Sequence, residues 1–378
     1  QGIPGKCVLR FQLLPALLLP KHVQEQRNAL VEKVIKDIEA GKPFFWDSEH
    51  FGRPAHNMAL GASYRGLNRM RLMIAAEDKG YTDSRWCTYK QAQEKGWQVK
   101  KGEKGTHIEF WSKLITVKEV NQETGEEEKK LKNLDCPIVK YYTVFNAQQM
   151  EGVPPEHSLT IDENEKNKYM ENMLKNSEAK IFFDQSNRNF YSPTTDEIHV
   201  LPREKFKTLD GFYATCAHEI AHSTGHPTRM NRDMFNFEKS EYAKEELRAE
   251  LASTFLQQQY GIKFDEKHYE NHAAYLQSWA KVLKDDPNEL YRAASKAQEM
   301  ADYIEQNMLL KGLEQAKPKA LESANEVPIL SKEVKEPAKI SPFQEIANRA
   351  MEKKKQQQRK QKLQVSVKDK PKQAELAR

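Results

Sequence analysis

Apolar positions recur at helix spacing over residues 20–40, where Val23, Leu30, Val31, Val34, Ile35 and Ile38 share one side and Gly41 supplies a stop. Phe44, Phe45 and Trp46 follow as a dense aromatic entry to a first domain. A second helix is expected from near Gly66 to Lys79, and residues 107–114 alternate as a strand. Residues 119–133, with their Thr-Gly turn, read as a charged loop. Strand pattern resumes over residues 137–149 through Ile138, Val139, Tyr141, Tyr142, Val144 and Phe145. Gly152-Val153-Pro154-Pro155 is the clearest domain boundary.

Beyond that boundary, residues 169–180 read as a helix, 181–183 and 196–201 as strands, and 189–195 as the turn between them. A helix over residues 210–225 has Asp210 as its expected N-cap and Gly225 with Pro227 as its stop. Residues 240–261 form a further helical pattern, with Leu247, Leu251, Phe255 and Leu256 as its stripe. Two more follow over 268–284 and 287–310, with Asp286 as a cap for the second. From Glu314 on, apolar periodicity fades and prolines and lysines dominate, ending in the low-complexity run KKKQQQRKQK at 353–362.

Composition sharpens this division. Hydrophobic content of 38% with 30% charge is too polar for a wholly globular chain of 378 residues, so residues 313–378 are expected to be a disordered basic tail. Residues 341–378 hold 11 basic and 4 acidic side chains, and residues 53–118 hold 13 and 6, while residues 141–310 come to about −9. Basic charge is therefore concentrated in the first domain and the tail, where nucleic acid is the natural partner. For the tail, a plain solvated segment is the alternative. Four cysteines without C-x-x-C spacing suit a reducing cytoplasm, and no run of eighteen apolar residues predicts a membrane span. Residues 7–19 superficially resemble a signal core. Arg10, Gln12 and Pro15 interrupt it and no small-x-small cleavage site follows, so the expectation is a fragment start.

The chemistry concentrates in His218-Glu219-Ile220-Ala221-His222, an H-E-x-x-H pattern. On a helix, His218 and His222 lie one turn apart on one face and can grip one metal ion. Glu219 then sits beside the open coordination position, where it can take a proton from water. A third ligand is expected on the next helix, where Glu246 and Glu250 are four apart. Glu246 is assigned as ligand, with Glu250 orienting a ligand histidine from behind; the reverse assignment stays open. Glu245 points about 100° away and is expected to be solvated. A His, His, Glu set accepts a divalent ion, Zn2+ foremost, with Mn2+ also suitable. His226 is read as a helix-stop residue, with a substrate contact or an alternative ligand left open, His199 as a structural strand residue, and Cys216 as a small buried thiol. Tyr213 and His226 are the candidates for an oxyanion donor.

In the first domain, residues 85–111 interleave Trp86, Tyr89 and Trp97 with Arg85, Lys90, Lys100, Lys101 and Lys104. Aromatic faces beside cations suit an unpaired strand, whose bases stack while its phosphates are neutralised. The alternative is that Trp86 and Trp97 are core residues of a small α+β domain.

These motifs together resemble a known pairing. YRGLN, RWCTYKQA and GWQVKKGEKGT within residues 57–111, then TVFNAQQMEG at 143–152, resemble the N-terminal domain of ArdC-type antirestriction proteins and of the related TraC-type plasmid primases. TDEIHVLP, AHEIAHSTGH and YAKEELRAELAS resemble the zincin-like metallopeptidase domain that follows it. The resemblance covers about residues 21–310 and implies an α+β chain with a small single-stranded-DNA-binding domain at 21–152 and a zincin-like α+β metallopeptidase domain at 153–312. It implies a mobile-element setting, in which incoming DNA is protected from restriction. The tail does not resemble a primase catalytic domain, and primase activity is not expected.

On this reading the DNA contacts are Asn57, Tyr64, Arg65, Asn68, Arg85, Trp86, Tyr89, Lys100, Lys101 and Lys104. The metal ligands are His218, His222 and Glu246, and Glu219 is the catalytic base and acid for hydrolysis of a peptide bond in an unidentified protein substrate. The rival reading is a DNA-binding protection protein whose metal site is structural or vestigial and cleaves nothing.

Overall fold

Helix α1 (Lys21–Glu39) buries Val23, Val31, Val34, Ile35 and Ile38, the side its spacing marks as apolar, and Gly41 leaves it at a positive φ of 65°. The computed structural model describes residues 21–41, 54–120, 127–155, 162–234, 238–263 and 266–313. The signal-like residues 7–19, the Phe44-Phe45-Trp46 run and the basic tail beyond residue 313 lie outside the described residues.

The first half is built on a four-stranded sheet of β1 (His56–Asn57), β2 (Arg85–Thr88), β4 (Thr106–Val120) and β5 (Glu127–Asn146), in the order β1-β2-β5-β4. β1 and β2 are parallel; the other pairs are antiparallel. Pairing of β4 with β5 runs from Thr106↔Val144 to Val120↔Glu127, with one slip between Ser112 and Leu114. In the charged stretch 119–133, expected to be a loop, residues 119–120 and 127–133 are strand, and the Thr-Gly turn within 121–126 lies outside the described residues. A two-stranded ribbon satisfies its backbone through its partner, so charged side chains do not end it. Helix α3 (Tyr89–Glu94) starts at a reciprocal capping box between Thr88 and Gln91. The short strands β3 (Gln98–Val99) and β6 (Met150–Glu151) pair antiparallel.

Helix α2 (Gly66–Lys79) faces two ways. Leu72 and Ala76 pack with Trp86, Ile108 and Val144 under the sheet. Met70, Met73 and Ile74 enter a larger core shared with α1 and with the helices of the second half. The core is therefore continuous across residue 152, and polar contacts reinforce it. Glu109 on β4 accepts from Arg27 Nη2 at 2.5 Å and from Arg71 Nη2 at 3.3 Å. The Arg27 guanidinium also lies 4.4 Å from the centre of the Tyr291 ring.

In the second half, helix α4 (Glu163–Lys175) begins earlier and ends earlier than residues 169–180. Asp162 caps it by accepting from Asn164 N at 2.7 Å, and Lys180 already opens a strand. Strands β7 (Lys180–Phe182), β8 (Phe190–Ser192) and β9 (Glu197–His199) form a sheet in the order β7-β9-β8. Residues 190–192, expected within a turn, are an edge strand, and the turn proper closes at Asp196, whose φ is 54°. Helices α5 (Leu209–Ser223), α6 (Lys239–Tyr260), α7 (Glu266–Asp285) and α8 (Glu289–Ile304) complete an α+β architecture. Asn288 rather than Asp286 precedes α8; Asp286 accepts from Asn288 N at 3.0 Å and closes the turn before it. Helix α6 packs on α5, α7 and α8 and is buried on nearly every side. Among the described residues, no helix is long and apolar enough to cross a membrane.

Candidate metal centre

Helix α5 is capped by Thr208, whose hydroxyl accepts from Gly211 N at 2.9 Å. Asp210, the expected cap, lies in the first turn and accepts from Lys166 Nζ at 2.5 Å and Lys263 N at 3.0 Å. Residues 211–223 are buried without exception, including His218, Glu219 and His222. Glycine and alanine at 211, 214, 217 and 221 let neighbouring elements approach closely around the two imidazoles.

The two rings meet at 80° with Nε2 atoms 3.1 Å apart. Glu246 on α6 brings Oε2 to 3.5 Å from His218 Nε2 and Oε1 to 3.5 Å from His222 Nε2. Behind the rings, Glu250 Oε2 lies 2.9 Å from His218 Nδ1, and Glu245 Oε1 lies 3.7 Å from His222 Nδ1. A carboxylate facing each Nδ1 favours the tautomer with its proton there, which turns both Nε2 lone pairs inward. Two lone pairs and a carboxylate converging on one point repel unless a cation sits among them. A tetrahedral ion with bonds of about 2.0–2.2 Å needs its ligand atoms roughly 3.3–3.6 Å apart. The donors come close to that spacing, at 3.1 Å between the nitrogens and 3.5 Å from each nitrogen to one Glu246 oxygen, and among the described residues they form the one group suited to hold a metal.

The field around the rings is acidic. Burial alone would lower both imidazoles, but Glu246 and Glu250 hold His218 well above its ordinary value, and Glu246 and Glu245 raise His222 to about 9. Burial would raise the Glu246 carboxyl, yet His222 and His218 keep it well below the carboxylate range. The carboxylates that raise the imidazoles make a field that a divalent ion would neutralise.

Glu245, expected in solvent, is buried. Being about 100° from Glu246 does not point it outward, because α6 is enclosed by neighbours on nearly all sides. Arg232 Nη2 donates to Glu245 Oε1 at 2.7 Å and to Ala221 O at 3.0 Å, while Nη1 donates to Thr224 Oγ1 at 2.6 Å. This guanidinium ties the end of α5 to α6 and holds the carboxylate that faces His222.

The donors lie on the floor of a cleft of about 540 Å³ that Glu219 also lines. Its walls include Phe190 and Tyr191 of β8, Tyr242 of α6 and Tyr275 of α7. Sequence reasoning missed Tyr242 and Tyr275, which are far apart in the chain. Tyr213 is buried and donates to Glu171 Oε1 at 2.7 Å, and His226 contacts Thr228 Oγ1 at 2.8 Å; neither lines this cleft. His199 is sandwiched between Phe182 and Phe190, with ring centres at 5.2 and 5.0 Å, as a structural strand residue. Cys216 is buried, and burial pushes its thiol upward.

The candidate DNA contacts divide in two. Trp86 is 1% exposed and packs edge-on to Tyr81 at 5.8 Å, so its face is not open to a base. Asn57 holds a turn: Oδ1 accepts from Ala59 N at 3.0 Å and Leu60 N at 3.1 Å, and Nδ2 donates to Tyr64 Oη at 3.1 Å. Asn68 bridges α2 to β4, with Nδ2 to Glu109 O at 2.6 Å and Oδ1 from Glu109 N at 2.9 Å. Arg85 is held by Asp83 Oδ2 at 2.7 Å, and Arg65 pairs with Asp302. Tyr64 is half-buried. Tyr89, Lys100, Lys101 and Lys104 are exposed, on α3 and the turn after β3. Phe110 and Trp111 on β4, each 41% exposed, are aromatic faces that the sequence pattern does not single out.

Two families match separate parts of the chain. Residues 24–145 match the N-terminal domain of the anti-restriction factor ArdC, and residues 168–296 match the zincin-like metallopeptidase family MPTase-PolyVal. Escherichia coli DNA primase TraC is 38% identical over 292 residues, which are 73% of this chain and 26% of the primase. The chain thus spans about a quarter of that relative's length. Among solved structures, the metal-free antirestriction protein ArdC of plasmid R388 is 35% identical with a TM-score of 0.57, covering 74% of this chain and 97% of that one. The Mn(II)-bound form of the same protein is 33% identical with a TM-score of 0.59, over the same shares.

Proposed function

The chain belongs to the ArdC-type antirestriction family, and from that premise we propose that it binds single-stranded DNA through its first half and hydrolyses peptide bonds at the metal centre of its second. The observation that carries the peptidase reading is the convergence of His218 Nε2, His222 Nε2 and a Glu246 carboxylate oxygen on a cleft floor that Glu219 shares. The Mn(II)-bound relative and the donor chemistry both support a divalent ion, zinc or manganese. Bound there, such an ion supplies Lewis-acid polarisation of a carbonyl and a more acidic water.

The chain's own residues do the rest. Glu250 and Glu245 orient the two imidazoles, and Arg232 fixes Glu245. Glu219, buried at the floor, accepts the proton of the attacking water and passes it to the leaving amine. Strand β8, an edge of its sheet among the described residues, lines the cleft and offers that edge to an extended peptide. Exposed Tyr89, Lys100, Lys101 and Lys104 provide a stacking face and phosphate charge for single-stranded DNA.

Glu219→Gln tests the enzymatic half. The variant should keep its metal, measured by elemental analysis, and lose hydrolysis of a broad peptide library. Retained protection of DNA in cells by that variant would make proteolysis dispensable and leave DNA coating as the activity. Anisotropy of labelled single strand against duplex, across a salt series and with the full chain, tests the other half. Equal affinity for both would overturn the single-strand reading.

A further inference from the structure

A peptidase cleft needs a donor for the oxygen that gains charge when a carbonyl is attacked, and Tyr213 and His226 are both turned elsewhere. Three other phenols line the cleft, and Tyr191 already donates to Asp196 Oδ1 at 2.9 Å, which leaves Tyr242 and Tyr275. Tyr242 stands one turn before Glu246 on α6, and Tyr275 faces it from α7. Their hydroxyls are 3.3 Å apart, and their ring centres are 5.9 Å apart at 51°.

Burial first, then the Glu246 carboxylate one turn along α6, raises the Tyr242 phenol. A carboxylate only accepts, so a Tyr242 hydroxyl turned toward Glu246 commits its one proton there. In that arrangement the Tyr242 oxygen accepts from Tyr275. The Tyr275 ring is braced by Trp279, stacked at 6.5 Å and 18°, and Trp279 is fully buried. Tyr242 stands at the mouth, 42% exposed. Burial, then Glu246, raises the Tyr275 phenol, which keeps the proton it would donate.

We propose that Tyr275 is the catalytic residue that donates a hydrogen bond to the developing oxyanion of a peptide carbonyl attacked in this cleft, with Tyr242 as the positioning residue that links it to Glu246. The inference rests on the peptidase reading. A phenol oxygen is a weak acceptor and an oxyanion a strong one, so the Tyr275 hydroxyl redirects its hydrogen bond from Tyr242 to substrate as charge develops. No proton changes owner; one hydrogen bond is exchanged for a stronger one.

The test uses the full, metal-loaded chain and two ligands of identical side chains. One is a phosphinic pseudopeptide, whose tetrahedral anion mimics the attacked carbonyl. The other is the matched normal peptide, bound to Glu219→Gln protein so that it is not cleaved. Tyr275→Phe should weaken phosphinic binding by about tenfold to a hundredfold, with peptide binding and metal affinity unchanged, and lower kcat rather than raise KM. Tyr242→Phe should weaken both the phosphinic ligand and the metal, measured by competition with a chelating dye. Wild-type phosphinic affinity in Tyr275→Phe would overturn the assignment, as would an equal loss for both ligands. A wild-type protein that binds the phosphinic ligand no tighter than the matched peptide would instead overturn the peptidase reading itself, and the assignment with it.

Discussion

Arg69 on α2 donates from Nη2 to the backbone carbonyl oxygen of Phe255 at 2.5 Å, on the same helix that carries Glu246 and Glu250. Its Nε donates to Gln258 Oε1 at 2.8 Å, and its guanidinium lies 4.8 Å from the centre of the Phe255 ring. The helix that supports the first sheet is thus pinned to the helix that carries Glu246.

Arg69→Ala should therefore destabilise the whole chain by about 2–4 kcal/mol, since it opens a cavity and strands two buried acceptors. Urea unfolding should show one shifted transition. Residues 21–152 in isolation should unfold without cooperativity, because Met70, Met73 and Ile74 would lose the core they pack in. An independent, cooperative transition of that fragment would contradict the shared core.

The carboxylates behind the imidazoles give a graded series. Glu250→Gln and Glu245→Gln should each lower metal affinity roughly 10–100-fold, and Glu246→Gln should lower it further. Competition with a chelating dye measures all three. Were Glu250→Gln the most severe, the roles of Glu246 and Glu250 would have to be exchanged.

Glu109 predicts a pH effect away from the centre. Burial would raise its carboxyl, but Arg27 and Arg71 hold it below the ordinary carboxylate range. Its contribution is present above the unfolded-state value near 4.5 and is lost as pH falls through the lower folded value. Wild type should lose urea resistance below about pH 4.5, and Glu109→Gln, weaker at pH 7, should lose less over that range. Parallel pH profiles for the two proteins would count against the link.

Gly225 follows α5 where a side chain has no room. An added Cβ would collide with Met234 and come within 3.1 Å of Arg232 Nη2. Gly225→Ala should push Arg232 off Glu245 and weaken metal binding several-fold while most of the stability remains. Unchanged metal affinity would mean that Met234 absorbs the whole displacement.

Local rules account for several elements. The boundaries of α2 at Gly66 and Lys79 follow from its glycine start and its Gly80 stop, and α6 ends at Gly261 in the left-handed region, as its sequence suggests. Other features escape such rules because a partner distant in sequence decides them. Residues 190–192 are a strand because β9 pairs with them, and Trp86 is a core residue because α2 and β4 close over it. Asn57 and Asn68 look like free polar donors in one dimension, but Asn57 is spent on its own turn and on the distant Gln91 Oε1, and Asn68 on the Glu109 backbone that folding brings near.

What the sequence determined by itself is the chemistry of one helical turn. His218, Glu219 and His222 lie within five residues, so the helix repeat alone sets their relation, and Glu246 with Glu250 follows by the same repeat. What the tertiary structure decided is everything that depends on which faces are enclosed. Glu245 faces His222, Arg232 closes the gap between α5 and α6, and Tyr242 meets Tyr275. Each of these pairs joins different elements, and no periodicity carries that information, because it arises only when the apolar faces of those elements have packed.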